Sequence, residues 1–365
     1  MIDTIMLALL SAYLLKILLF ASGSRRASNA RRFDVASSVS VIVAARNEEG
    51  NIDACVQSLL QLEYPPEALE IIVIDDQSTD GTRARLEHWR ARYPALRVLQ
   101  TAGSLYGLRG KANAVAQAVE QSRGDVILTT DADCIVSPQW VRNTVRQYGP
   151  ATGCVCGFTL LTSDGAFTGM QSLDWVYLLT IASAGVGWGY PLSAVGNNMS
   201  FRRKAYDEVD GYRGVGFSVT EDFALFKAIS YRTKWEVRYP VDSSTVVWSK
   251  PCSTIREVYR QKKRWGRGGV DIHPIGFAIM SIGFLMNVAI FAMPFMGISL
   301  WAYLAGLAGK FLGDAFLLSR PLRIFTQRHL YRYFFTFELY YLLYVTALPF
   351  IVFLTGKVVW KDRKL

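Results

Sequence analysis

Residues 127–134 read ILTTDADC. A β-prone run stops abruptly at two aspartates, Asp131 and Asp133, with only Ala132 between them. Two carboxylates this close repel, and one is driven neutral unless a positive charge sits between or beside them. A divalent metal supplies such a charge. Carboxylate oxygens suit Mg2+ or Mn2+, which often complete their shell with substrate phosphates. Asp131 and Asp133 are therefore candidate metal ligands. Taken alone the tripeptide is weak, because a strand end that caps the next helix reads the same way.

The stretch is the last of a series. Residues 39–45 (VSVIVAA) and 70–74 (EIIVI) are short β-branched runs, and 96–99 is a third. Between them, residues 51–62 carry apolar side chains at helical spacing, and helices are expected over 82–92 and about 111–121. Strands that alternate with helices predict a parallel α/β sheet. Ligands of such sheets bind beyond the carboxyl ends of the strands. Three polar clusters fall at those ends: Arg46, Asn47 and Glu48; Asp75 and Asp76; Asp131 and Asp133. Asp75 and Asp76 can hydrogen-bond a base and ribose; alternatively Asp76, Ser78 and Asp80 form an Asx-turn. Lys111 opens a predicted helix, where a cation and the helix N-terminus both favour phosphate.

Composition bounds the setting. Of 365 residues, 51% are hydrophobic and 19% charged, and the formal net charge is +10. The apolar residues are concentrated in segments, which points to membrane spans rather than a larger core. Residues 4–22 are apolar apart from Lys16, and Arg25, Arg26, Arg31 and Arg32 come directly after. By the positive-inside rule this predicts a signal anchor at residues 1–24, with the chain beyond it facing the cytoplasm. Between Asp271 and Lys310 no residue is charged apart from a possible charge on His273, and residues 339–356 carry none. Two to three spans are expected within 274–356. Four spans in all put the basic tail WKDRKL outside, so either the segment holding Lys310 and Asp314 is incomplete or the last one lies in the interface. Residues 172–190 read as an amphipathic helix lying on the membrane surface. Basic residues crowd beside the apolar segments, so no nucleic-acid partner is expected. The five cysteines have no metal-type spacing, and Cys154 and Cys156 fit a strand core.

The motifs together resemble a known family. SVSVIVAARNEEGNI (38–52), EIIVIDDQSTDGT (70–82), GKANAVAQA (110–118) and ILTTDADC are similar, in order and spacing, to the nucleotide-sugar half of the family-2 glycosyltransferases. VGNNMSFRRKAYDEVDGY (195–212), TED (220–222) and QKKRW (261–265, a Gln-x-x-Arg-Trp pattern) continue the likeness. It implies a GT-A fold, Rossmann-like with a mostly parallel sheet, as a cytoplasmic catalytic domain over 38–270, with transmembrane α-helices at both ends. It also implies roles. Glu48 and Asp75 or Asp76 would bind the uridine part of a nucleotide sugar. Lys111 would lie near the diphosphate, and Asp131 and Asp133 would hold the metal. Asp222 would be the catalytic base beside Glu221. Asn198, with Asn197, would sit near donor sugar or acceptor. Gln261, Arg264 and Trp265 would close over the diphosphate and the acceptor.

The expected function is thus an inverting, metal-dependent hexosyltransferase in the bacterial inner membrane, moving a sugar from a UDP-sugar or similar donor to a lipid acceptor. A processive polysaccharide synthase shares the TED and Gln-x-x-Arg-Trp patterns but needs a polar tunnel. A non-catalytic, membrane-anchored nucleotide-binding protein is the other alternative, although no carboxylate of the pattern is missing. For Glu221 and Asp222 the plainer reading is a helix N-terminus capped by Thr220.

Overall fold

A computed structural model describes residues 1–29, 31–34, 37–268, 274–354, 359–360 and 363–364. The expected boundaries at 270 and 356, and part of the basic tail, lie outside these residues. In chain order the strands are β1 (Val39–Ala45), β2 (Leu69–Asp75), β3 (Leu96–Gln100), β4 (Val126–Asp131), β5 (Ile135–Val136), β6 (Thr152–Cys156), β7 (Thr159–Leu161), β8 (Met199–Arg202), β9 (Glu236–Arg238) and β10 (Val247–Ser249). The helices are α1 (Ile2–Ser28), α2 (Ile52–Leu60), α3 (Thr82–Arg92), α4 (Gly110–Glu120), α5 (Trp140–Val145), α6 (Ala166–Gly187) and α7 (Arg203–Glu208). They continue with α8 (Gly211–Val215), α9 (Glu221–Arg232), α10 (Ile255–Gly268), α11 (Pro274–Ala292), α12 (Leu300–Ile324) and α13 (Phe334–Leu354).

The chain forms two compact units. The sheet unit comprises Asn29–Leu160, Ser193–Lys250 and Val359–Leu365; the helical unit comprises Met1–Ser28, Leu161–Leu192 and Pro251–Val358. Residues 38–270, expected as one domain, are thus divided: 161–192 and 251–268 pack with the long apolar helices.

In the sheet unit seven strands run in the order β3-β2-β1-β4-β8-β6-β9. The first four are parallel, and β8 lies antiparallel between β4 and β6. β1 is an interior strand, which explains VSVIVAA: both faces are covered, so the strand is apolar apart from Ser40, whose hydroxyl is bonded to Glu70, instead of alternating. Val41, Val43, Val73 and Leu128 join Val56, Leu59 and Leu86 of α2 and α3 in one buried core. Cys154 and Cys156 are buried on β6, as their spacing suggests.

In the helical unit α1, α11 and the 328–351 segment carrying α13 are long and apolar enough to cross a membrane. α12 is continuous over 25 residues, or roughly 37 Å at 1.5 Å per residue. The helix holding Lys310 and Asp314 is unbroken but is not among the three that are long and apolar enough to cross a membrane. It carries those charges because they are paired internally with Glu338 of α13. α1 and α12 run parallel: the Asp3 carboxylate accepts from Ser299 N–H and Oγ–H at 2.9 and 2.7 Å, and Arg320 reaches the Ser24 carbonyl at the other end. α1 and α6 approach so closely that a Cβ on Gly187 would lie 1.9 Å from the Gly23 carbonyl oxygen. α6 itself is not a surface amphipath. Leu173, Asp174, Tyr177, Thr180 and Ser183 are all buried, because other helices cover its several sides. A helix enclosed in that way shows no single polar face.

Candidate active site

Strand register sets out the acidic rim. Ala44 of β1 pairs with Asp131 of β4, and Ala45 pairs with Asp75 of β2. Both aspartates therefore stand at the carboxyl edge, one residue out of step, one strand on either side of β1. Two strand spacings separate them by roughly 10 Å at the backbone.

The loops after β1 and β2 are laced together. Asn47, at φ 51°, donates its N–H to Ser78 Oγ and accepts the Thr79 N–H on Oδ1 at 2.8 Å. Glu48 N–H donates to Thr82 Oγ1 and Glu49 N–H to Asp80 Oδ2. Arg46 Nη1 donates to the carbonyls of Asp76 and Gln77 at 2.6 and 3.0 Å. The turn after β2 is closed by Asp75, which accepts the Ser78 N–H, and by Asp80, which accepts the Thr82 N–H. Asp76, expected to share in that turn, instead accepts from Thr101 Oγ1 at 3.3 Å. Asp75 is 1% exposed, and its Oδ2 has no hydrogen-bond partner. A buried carboxylate oxygen left in that state costs free energy unless a donor arrives.

Lys111 is the hub on the β4 side. Gly110 precedes it at φ +58°, a left-handed backbone that favours glycine, and turns the chain into α4. Lys111 Nζ lies 2.5 Å from Asp131 Oδ1 and 3.7 Å from Glu221 Oε1. Burial would lower its pKa, but the charges of Asp131, Glu221 and Asp222 outweigh burial and hold it above lysine's ordinary value. The Glu221 side chain is 10% exposed and that of Asp131 36%, so Asp131 is the more accessible partner. Asp222 begins α9 alongside Glu221. Its Oδ2 accepts the Gly196 N–H at 2.5 Å and its Oδ1 accepts the Phe223 N–H at 2.8 Å, which fixes its orientation. Thr220 stands at the N-cap position, but its side chain makes no capping bond.

Asp133 comes one residue beyond Ala132 and accepts a weak bond from Cys134 Sγ at 3.3 Å. The Cys55 thiol is pushed up by burial and then by the charges of Asp133, Asp131 and Glu48. Among the described residues no three His, Cys, Asp or Glu side chains are arranged to hold a metal. Two carboxylates, with substrate phosphates completing the shell, is the pattern that suits Mg2+ or Mn2+. Asp131 and Asp133 fit such an ion on that chemistry.

Not every candidate faces the rim. Asn198 is 4% exposed; its Nδ2 donates to the Phe158 and Thr245 carbonyls, and its Oδ1 accepts from Trp140 Nε1. The expectation that it meets a ligand is corrected: its amide is spent tying three segments together. Asn197 likewise accepts from Thr159 Oγ1. Gln261, Arg264 and Trp265 belong to α10 of the helical unit. There the sequence reading missed two partners, Gln171 and Asp174 of α6. A lone carboxylate inside an otherwise apolar run was the available signal.

Comparison with known proteins adds the family. Residues 40–220 match the model for Glycosyl transferase family 2. β-Monoglucosyldiacylglycerol synthase of Synechocystis sp. is 28% identical over 239 residues, covering 63% of this chain and 47% of that protein. Poly-β-1,6-N-acetyl-D-glucosamine synthase of Staphylococcus epidermidis is 24% identical over 241 residues, covering 64% of this chain and 55% of that protein. The chain thus spans about half the length of these relatives. In fold it resembles a mannosyltransferase from Pyrobaculum calidifontis, solved with GDP-Man and Mn2+, at TM-score 0.58 and 20% identity over 95% of this chain and 98% of that one. With the acidic rim carried on a mostly parallel sheet, residues 40–220 are a domain of glycosyl transferase family 2, in a chain with helices long and apolar enough to cross a membrane at both ends.

Proposed function

We propose that the protein is an inverting hexosyltransferase that moves a sugar from a nucleotide sugar, UDP-linked or similar, to a lipid of the membrane that its helices enter. The observation that carries this reading is the pairing of Lys111 with Asp131 and Glu221, with Asp222 next to Glu221 at the start of α9. It gathers a metal-type carboxylate, a phosphate-type cation and a reachable base from three separate segments.

Chemistry assigns the roles. Asp75, with an unsatisfied buried oxygen, accepts an N–H of the base, and Asp76 and Glu48 serve the nucleoside. Asp131 and Asp133 hold Mg2+ or Mn2+, which when bound neutralises charge on the diphosphate. Lys111 leaves Asp131 partly shared and offers its remaining donors to the diphosphate. Asp222 takes the proton from the acceptor hydroxyl as its oxygen attacks the anomeric carbon. The bond from that carbon to the diphosphate oxygen breaks, with inversion, and the nucleoside diphosphate leaves. Such a base contributes about 10²–10⁴ in rate. Glu221 pairs with Lys111 and positions it. Gln261, Arg264 and Trp265 close over the diphosphate and the acceptor.

A lipid acceptor is supported by the apolar helices and by the Synechocystis relative, whose name is that of a glucosyldiacylglycerol synthase. Arg25 and Arg26 end α1, and Arg320 and Arg323 end its parallel neighbour α12. Four arginines at the same end of two helices support a catalytic domain on the cytoplasmic face of a bacterial inner membrane. A second reading, a processive synthase, is favoured by the relative named as a poly-N-acetylglucosamine synthase.

One experiment separates the readings. Membranes holding the full chain are incubated with a panel of labelled nucleotide sugars, and lipid-extractable label is separated from polymeric label. The proposal expects label in the lipid extract that requires a divalent ion. Polymeric label favours the synthase, and no incorporation from any donor overturns both.

A further inference from the structure

Within the helical unit, α6 grips the segment that carries Gln261, Arg264 and Trp265 at three points. Gln171 Nε2 donates to the Cys252 carbonyl at 3.0 Å, and Gln171 Oε1 accepts the Cys252 N–H at 2.9 Å. Asp174 forms an ion pair with Lys262, their side chains 2% and 7% exposed. Trp175 sets its ring edge-on to Trp265, with centroids 5.2 Å apart. Residues 171, 174 and 175 stand at i, i+3 and i+4, and so share one face of α6. The second Asp174 oxygen accepts from Tyr344 Oη at 3.3 Å. Lys262 Nζ also lies 4.6 Å from the Trp265 ring centroid and 4.7 Å from that of Tyr344.

Lys262 therefore does not act as a cation for phosphate, although it sits in a basic motif. Its charge is consumed by one carboxylate and two aromatic faces. As a source of stability this is a poor device, because desolvating both ions offsets much of their attraction and an apolar pair of similar volume holds helices as well. What the pair supplies is geometry. A directed bond at position 262, flanked by buried Val258 and the Trp265 contact, fixes the rotation of α10 about its axis. At roughly 100° per residue, Gln261 and Arg264 then leave the helix on one flank, about 60–120° round from Val258.

We propose that Asp174 is a positioning residue of this enzyme: through Lys262 it sets the rotation at which Gln261, Arg264 and Trp265 meet the donor and acceptor. The inference rests on the proposed function, in which those three side chains act on the reactants.

The test uses the full chain in lipid nanodiscs, with Asp174→Asn, Lys262→Met, and the exchange Asp174→Lys with Lys262→Asp. Three quantities are measured: turnover, donor affinity by calorimetry, and the rate of tryptic cleavage between Arg256 and Arg267. Misplacing catalytic groups by about 1 Å costs roughly 10²-fold in rate. Asp174→Asn is expected to lose turnover on that scale, with donor affinity falling far less than turnover, and to expose α10 to trypsin; the exchange restores turnover and protection. Turnover within about twofold of wild type in Asp174→Asn, below 0.5 kcal/mol of transition-state energy, overturns the proposal. So does an exchange variant no better than Asp174→Asn. Where Asp174→Asn does not fold, Lys262→Met, which keeps the volume, must show the same turnover loss, and normal turnover overturns the proposal. If wild type itself transfers no sugar, the functional reading has failed, and unchanged tryptic cleavage in Asp174→Asn then also refutes the hold on α10.

Discussion

Lys111 Nζ stands 2.5 Å from Asp131 Oδ1 and 3.7 Å from Glu221 Oε1, so the end of β4 and the start of α9 meet on a single cation from α4. Lys111 allows these carboxylates to sit together. Its pKa is lowered by burial but raised more by Asp131, Glu221 and Asp222, for a net rise. A raised pKa in the fold gives stability that is fully present below lysine's unfolded value, about 10.4, and is lost as pH climbs through the folded value. Lys111 therefore stays charged through neutral pH. Relative to wild type, Lys111→Met should be destabilised most near neutrality. The deficit should shrink in acid, as the abandoned carboxylates protonate, and again in strong alkali. Thermal unfolding of both proteins across pH checks this, and a deficit that grows in acid would contradict it.

Asp133 tests the metal. Losing a residue that only supports a metal ligand costs about 10–100-fold in affinity, and losing a ligand costs more. Asp133→Ala should remove the divalent-ion dependence of donor binding. Donor titrations with and without Mn2+ decide the matter: a Mn2+ response equal to that of wild type rules out a ligand role.

Asp222→Asn separates chemistry from binding. The asparagine oxygen can still accept the Gly196 N–H that Asp222 Oδ2 now accepts, but the bond from the Phe223 N–H to Oδ1 is lost, so thermal unfolding of the variant is measured beside its turnover. Turnover should fall by about 10²–10⁴ while donor affinity holds. Affinity falling in step with turnover would remove Asp222 from the role of base.

The sheet was legible because its constraints are local. β-branched runs buried on both faces can be read from VSVIVAA, EIIVI and ILTTDADC, the last two cut short by acids, and parallel register then brings Asp75 and Asp131 to the same edge, opposite Ala45 and Ala44. The helical unit was not, because its polar residues are satisfied by partners far along the chain. Asp174 and Lys262 are 88 residues apart, and each alone looks like a solvated charge. Lys310 and Asp314 break an apolar run for the same reason: Glu338 lies 28 residues beyond Lys310. Asn198 misled because an Asn-Asn pair looks like ligand-binding amides until Trp140, Phe158 and Thr245 are seen around it.

Those paired charges support the last prediction. Lys310, Asp314 and Glu338 are all 0% exposed, with Lys310 Nζ 3.0 Å from Asp314 Oδ2 and bonded to Glu338 Oε2. Tyr13 of α1 and Tyr177 of α6 each donate a hydroxyl to Asp314 Oδ1, at 2.6 and 2.7 Å, so four helices close on the cluster. Glu338 has no such support; its Oε1 lacks a hydrogen-bond partner. Removing one member of a buried ion pair leaves an uncompensated charge and costs about 3–5 kcal/mol, whereas replacing both by apolar groups of similar volume is often neutral. Lys310→Met should therefore be strongly destabilised. Adding Glu338→Leu should recover part of the loss, because one of the two abandoned carboxylates is then gone and the other, Asp314, keeps both tyrosine hydroxyls. Thermal unfolding in nanodiscs measures both variants. A single variant as stable as wild type, or a double variant no better than the single, would mean that the charges do not hold these helices together.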